Sequence, residues 1–315
     1  MKKLYSVMLV GLLSCSQIVE ETGPALIDST SVIVLGTVQD GGSPHIGCKK
    51  NCCVDLFDNP DARRKVVSLG LVDYEEQKTF LIEASPDLPE QMKILNKSFD
   101  FQHSEEPNGI FITHAHIGHY TGLMYLGRES LGGKNVSVHV MPTMKNFLEK
   151  NGPWDQLVSL GNIDLKELQN DTRVSISKNL SIQPILVPHR DEYSETVGFK
   201  IFGPTKTILF IPDIDKWNKW RRSIVEEVAN VDIAFLDATF YDAQEINNRD
   251  ISEIPHPFVI ETMNLFDSLP VKERQKIHFI HLNHTNPLLN RGSESYKTAV
   301  SKGYNVAEFK KTIEL

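Results

Sequence analysis

Ile110-Phe111-Ile112-Thr113-His114-Ala115-His116-Ile117-Gly118-His119-Tyr120-Thr121-Gly122 is the stretch that decides the fold. The apolar run at 109–113 predicts a buried strand. Three histidines follow it at once. His114 and His116 are two apart and share a side while the chain stays extended. His119 comes three later, where a helix through Leu123 and Leu126 is expected to start. Three of the eleven histidines in the chain therefore crowd one strand end. Imidazoles converging in this way suit a small, borderline-soft cation such as zinc.

Working outward, the 315 residues allow one large α/β domain or two small ones. The net charge is −8 and no basic run interrupts it, which argues against nucleic acid as a partner and leaves a small-molecule substrate. No apolar stretch reaches the roughly 18–20 residues that span a bilayer. The N-terminus has a different character. Met1-Lys2-Lys3 is basic, residues 4–13 are apolar, and Leu12-Leu13-Ser14-Cys15 closes the segment. This predicts a bacterial export signal. It resembles a lipoprotein signal, in which Cys15 would become the acylated first residue and anchor the protein to the periplasmic or outer membrane. Residues 16–30 then read as a flexible tether, and 31–315 as the folded domain.

Along that domain, 31–37 predicts a first strand running into the glycine loop Gln39-Asp40-Gly41-Gly42-Ser43-Pro44. The loop lacks the spacing of a dinucleotide fingerprint and reads as a tight turn. Residues 66–74 and 79–84 form a hairpin pattern. Ser85 and Pro86 read as the cap and first residue of a helix carrying Met92 and Leu95. Strands are expected at 136–141, at 173–188 as a pair turning at Lys178-Asn179, at 197–202, 206–211, 232–236, 277–280 and 306–309. Helices are expected from Pro142, over 217–231 and over 294–302. Strands and helices are interspersed throughout, which suggests mixed sheets covered by helices.

Polar residues able to hold a metal recur where the apolar runs end: Asp87, His114, His116, His119, His189, Asp213 and His281. Strand ends in α/β sheets face a common crevice, so a series of them outweighs any single histidine. With these residues in view, nearly the whole folded length resembles the metallo-β-lactamase superfamily. Its His-x-His-x-Asp-His motif matches His114, His116 and His119. Its later ligands match His189 in Val-Pro-His-Arg-Asp, Asp213 in Phe-Ile-Pro-Asp and His281 in Phe-Ile-His-Leu-Asn-His, and an earlier aspartate matches Asp87. Within the superfamily, Ala84-Ser85-Pro86-Asp87-Leu88, Asp237-Ala238-Thr239-Phe240 and Asn283-His284-Thr285-Asn286-Pro287 are similar to the pyrroloquinoline quinone biosynthesis protein B group. The resemblance implies an αββα sandwich of two packed mixed sheets with outer helices. It also implies one zinc on His114, His116 and His189, and a second on His119 and His281 with Asp213 between them.

One departure bears on chemistry: the aspartate inside the motif is Gly118 here. Glycine offers no side-chain ligand, so the expectation is one tight ion and a second that is weak or absent. Three neutral imidazoles leave zinc an open position for a water whose pKa falls to about 7. Asp213 or Asp87 would orient that water and take its proton. The expected reaction is hydrolysis of an ester, amide or phosphodiester. Two other readings keep the fold. One uses iron for redox or oxygen chemistry, since histidines with a carboxylate also suit non-haem iron. The other is a binding protein that lost an efficient centre.

Cys48, Cys52 and Cys53 form a second cluster. In some members of this superfamily cysteines of the first loop and a late histidine hold a structural zinc, and the resemblance points to His284 for that role. A Cys48–Cys52 or Cys48–Cys53 disulfide and free thiols are the alternatives, with His45 able to replace one cysteine. His256, in the loop Ile254-Pro255-His256-Pro257-Phe258, is a candidate substrate contact. His103, His139 and His278 read as structural, and Trp154, Trp217 and Trp220 as helix packing.

Overall fold

The structure is a computed structural model that describes residues 26–245 and 254–315. The expected export signal, with Cys15, and residues 16–25 of the expected tether lie outside the described residues. Within the stretch expected as tether, Ile27 is buried in the core and its N–H donates to the Ser98 carbonyl.

Among the described residues, fourteen strands form two seven-stranded sheets. In chain order they are β1 (Ser31–Gly36), β2 (Ser68–Asp73), β3 (Lys78–Ile82), β4 (Gly109–Phe111), β5 (Val136–Val140), β6 (Ile163–Glu167) and β7 (Val174–Ser175), then β8 (Ser181–Leu186), β9 (Val197–Phe202), β10 (Thr207–Ile211), β11 (Ile233–Asp237), β12 (Ile277–Ile280), β13 (Asn305–Val306) and β14 (Thr312–Glu314). The first sheet runs β14-β1-β2-β3-β4-β5-β6 and the second β13-β12-β11-β10-β9-β8-β7. Each is half antiparallel and half parallel: β1, β2 and β3 pair antiparallel, while β3 to β6 are parallel. In the second sheet β8, β9 and β10 pair antiparallel and β10 to β13 are parallel. The chain builds the sheets one after the other, and β14 returns to close the first against β1.

The strands read as continuous apolar runs because both faces are covered. On β1, Val32 and Val34 point between the sheets, where they join Leu69, Phe111, Phe199 and Phe210. Ile33 and Leu35 point outward to the helix Leu88–Asn96, beside Leu88, Met92 and Leu95. The second sheet has its own outer layer, where Leu209 and Leu236 meet Trp217, Val228 and Phe266. Truncating an inter-sheet phenylalanine such as Phe210 would cost about 3–5 kcal/mol. The expected sandwich is therefore present.

Local differences have local reasons. The helix after β3 starts at Leu88 rather than Pro86. Ser85 Oγ is occupied differently, accepting from Asp87 N and donating to Gln91 Oε1 at 2.7 Å. The helix expected over 217–231 divides into a short turn, Trp217–Lys219, and a helix, Ile224–Ala229, capped by Ser223. Strand β6 was not expected, since Ile163–Glu167 buries only one residue fully and carries a weak apolar signal. His139 stacks on Phe111, a structural role as expected.

Candidate metal centre

The ends of strands in both sheets and the loops that leave them supply the ligand side chains of the site. Strand β4 ends at Phe111, and Thr113 to His119 follow into the short helix Ile117–Tyr120. His189 follows β8, Asp213 follows β10, Asp237 ends β11 and His281 follows β12. The site thus sits across the seam between the sheets.

Three imidazoles make the first cluster. His114 Nε2 lies 2.9 Å from His116 Nδ1, which lies 3.2 Å from His189 Nε2. Asp213 Oδ2 faces all three, at 3.4, 4.0 and 3.3 Å. Donors about 2.0 Å from a tetrahedral ion stand roughly 3.3 Å from one another, so this spacing fits zinc. Burial and the neighbouring His119 push the pKa of His114 well below the ordinary histidine range, which keeps its lone pair free. The other nitrogen, Nδ1, is 2.9 Å from Thr113 Oγ1.

The second cluster is His119, His281, Asp213 and a residue that the sequence had marked only as part of a turn, Asp40. Asp40 Oδ1 is 2.9 Å from His119 Nε2 and 3.1 Å from His281 Nε2. Burial alone would raise the pKa of Asp40, but His119 and His281 outweigh it and hold the carboxyl well below its usual range. Behind the cluster, His119 Nδ1 meets Glu83 Oε1 at 3.1 Å, and His281 Nδ1 meets Thr239 Oγ1 at 2.9 Å. Such contacts fix the tautomer and leave Nε2 for a ligand. Glu83 and His281 both adopt positive φ, +77° and +62°. Non-glycine residues rarely sit there, and such strain gathers at functional sites.

Asp213 belongs to both clusters. Its Oδ2 faces the three imidazoles of the first cluster, and its Oδ1 is buried on the side of His256. His256 reaches the same place. Its Nδ1 is 2.9 Å from Asp237 Oδ2 and 3.1 Å from Asp213 Oδ1. Burial opposes a charge on His256, but Asp237 and Asp213 outweigh it and hold its pKa well above the ordinary value. Asp237 was not singled out from the sequence. Its place at the end of β11, ahead of Ala-Thr-Phe, was the available signal.

Asp87 does not join the site. Its Oδ2 accepts from Val66 N at 2.8 Å and its Oδ1 lies 3.7 Å from Lys65 Nζ, so the carboxylate braces the segment that leads into β2. A catalytic role for Asp87 is therefore corrected to a structural one. The cysteine cluster is present with one change. Cys48, Cys53 and His284 bring their donor atoms together, whereas Cys52 stands beside them with Sγ 3.6 Å from that of Cys48. His45 stacks on His284, with ring centroids 4.5 Å apart. All three cysteines are free thiols here.

Comparison with known proteins bears on the family and the fold. Residues 78–281 match the family model described as the beta-lactamase superfamily domain. The coenzyme PQQ synthesis protein B of Gluconobacter oxydans is 26% identical over 304 residues, covering 90% of this chain and 98% of that protein. The same protein of Xanthomonas axonopodis pv. citri is 25% identical, over 88% of this chain and 97% of the relative. Among solved structures, Zn(2+)-bound PqqB from Methylobacterium extorquens superposes with a TM-score of 0.73 at 19% identity, over 90% of this chain and 100% of that one. A diphosphatase of the PhnP family superposes at 0.62 and 19% identity, over 91% and 97%. These structures share the fold.

Proposed function

We propose, because the chain belongs to the beta-lactamase superfamily, that it is a metal-dependent hydrolase acting on a small ester, amide or phosphodiester. The observation that carries this reading is the pair of ligand clusters sharing Asp213: His114, His116 and His189 on one side, Asp40, His119 and His281 on the other. A zinc or similar ion held there would lower the pKa of a bound water and polarise the carbonyl or phosphoryl oxygen of a substrate. Asp213, reaching both clusters, would orient that water and accept its hydrogen bond. His256 donates from Nδ1 to Asp237, which leaves Nε2 to exchange a proton with a leaving group. The cysteine set would hold a separate structural ion.

A second reading keeps the same residues with iron. The donors of both active clusters are imidazole and carboxylate only, which suits non-haem iron as well as zinc. The relatives matched over almost their whole length are named for coenzyme PQQ synthesis, so a redox or oxygen step on a quinone-type precursor is the specific alternative. The test is elemental analysis of protein purified without added metal, then a panel of p-nitrophenyl esters and bis(p-nitrophenyl) phosphate with the zinc form. Oxygen uptake is measured with the ferrous form. Zinc with turnover of a panel member supports hydrolysis. Iron with substrate-dependent oxygen uptake and an inert zinc form overturns it in favour of the second reading.

A further inference from the structure

Gly118 removes a carboxylate from the motif, yet the space it leaves is filled. A Cβ placed on Gly118 would lie 2.5 Å from Asp40 Oδ1, 2.6 Å from Asp40 Cα and 2.7 Å from Asp40 Cγ. Two of these atoms belong to the side chain, but Cα is backbone and cannot swing away. An aspartate at 118 and the present course of residue 40 therefore exclude each other. We propose that Asp40 is the carboxylate ligand of the second metal position, delivered from the first loop in place of the motif aspartate. The inference rests on the reading of the site as a metal centre.

The loop is built to hold it. Thr37 accepts a hydrogen bond from Leu282 N at 2.8 Å, and Gln39 N donates to the Leu282 carbonyl at 3.0 Å. On the other side Val67 N donates to the Val38 carbonyl at 2.9 Å. Val38 forms parallel bridges to both Val66 and Leu282. Residues 37–39 are thus laced between the two sheets directly before Asp40 and beside His281. Gly42, at φ +72°, turns the chain away after it. An aspartate placed only to cap a turn would need none of this, and its carboxylate would not point one oxygen at two imidazole nitrogens 3.5 Å or less away.

Removing a direct ligand should cost at least as much affinity as the 10–100-fold typical of outer-sphere changes. The experiment titrates Co(II) into the metal-free full chain and follows the d–d spectrum and equivalents bound, for wild type, Asp40→Asn, Asp40→Ala, Gly118→Asp and the double variant Asp40→Gly/Gly118→Asp. Asp40→Asn and Asp40→Ala should each weaken one active-site equivalent by about 100-fold or more and leave the His114 cluster filled. Gly118→Asp alone should lose that equivalent too. The double variant, with the carboxylate moved back to the motif, should regain it. Asp40→Asn and Asp40→Ala that bind as wild type does overturn the assignment of Asp40 alone. A wild type that binds no ion at His114, His116 and His189 overturns the metal-centre reading itself. The asparagine variant keeps shape and hydrogen bonding, so it reports even if the double variant misfolds.

Discussion

Glu83 Oε1 lies 3.1 Å from His119 Nδ1, and both side chains are wholly shielded from solvent. Thr113 Oγ1 donates to the same carboxylate oxygen at 2.5 Å. A buried carboxylate is costly unless it is paired, and these two partners offset that cost at a residue that also sits at a positive φ of +77°. Its effect on the site is to hold His119 with Nε2 facing Asp40. Glu83→Gln should keep the shape, lose the charge and weaken metal at the second position by about 10–100-fold. Metal titration that shows wild-type affinity for both ions would remove Glu83 from any positioning role.

The two clusters should separate on mutation. His114→Ala takes one of three imidazoles from the first cluster, so tight metal and activity should both be lost. His119→Ala should leave that first ion largely in place. Elemental analysis of the two variants checks this, and an ion retained by His114→Ala would show the ligand assignment to be wrong.

Cys48, Cys53 and His284 tie the first loop to the segment just after His281. Metal bound there contributes to folding, so Cys48→Ser should lower the melting temperature more than it alters turnover per bound active-site ion. The same loop carries Asp40, so the second active-site ion should also be weakened, and the first should not. Cys52→Ser should be mild, since Cys52 stands outside the set. An intact mass two hydrogens short, with metal at the active centre only, would instead show a disulfide.

Burial lowers the pKa of His139 and of His278 from 6.5 to about 4. In the unfolded chain both would protonate near 6.5, so below that pH the unfolded state binds more protons. Stability is therefore full above about pH 6.5 and falls as the pH drops towards 4. His139 lies in strand β5, stacked on Phe111 and apart from the metal ligands, so His139→Gln isolates its share. Urea midpoints should fall less steeply between pH 6.5 and 4.5 in the variant than in the wild type. Identical slopes would show that His139 is not held neutral by the fold.

From the N-terminal segment, Lys2 and Lys3 followed by apolar residues and Cys15, we propose an exported protein held to a membrane by lipid. Cys15→Ser should release the protein from the membrane fraction. Unchanged fractionation would refute the anchor.

His114, His116 and His119 were legible from the chain alone because they lie within one strand end and one turn, where spacing translates directly into direction. His189, Asp213 and His281 were legible because each closes an apolar run, and burial of a strand on both faces writes such runs into sequence. Mixed sheets covered by helices followed from the same runs, and the resemblance to the superfamily added their packing as an αββα sandwich. Asp87 followed the same rule and was misread, since a carboxylate after a strand serves equally to tie a neighbouring backbone segment, and here Val66 N engages it.

Asp40 shows what only the tertiary structure decided. It is separated from His119 by 79 residues and from His281 by 241, and it sits in a glycine loop whose local chemistry states no more than a turn. Its role depends on Val38 bridging Val66 and Leu282, a pairing between segments that nothing in either stretch specifies. Asp237 and His256 met for the same reason. Sequence periodicity records which face of a strand or helix is buried, because burial acts on each residue locally. Which loop completes a site is set by how two sheets pack across a seam, and that depends on the whole chain at once.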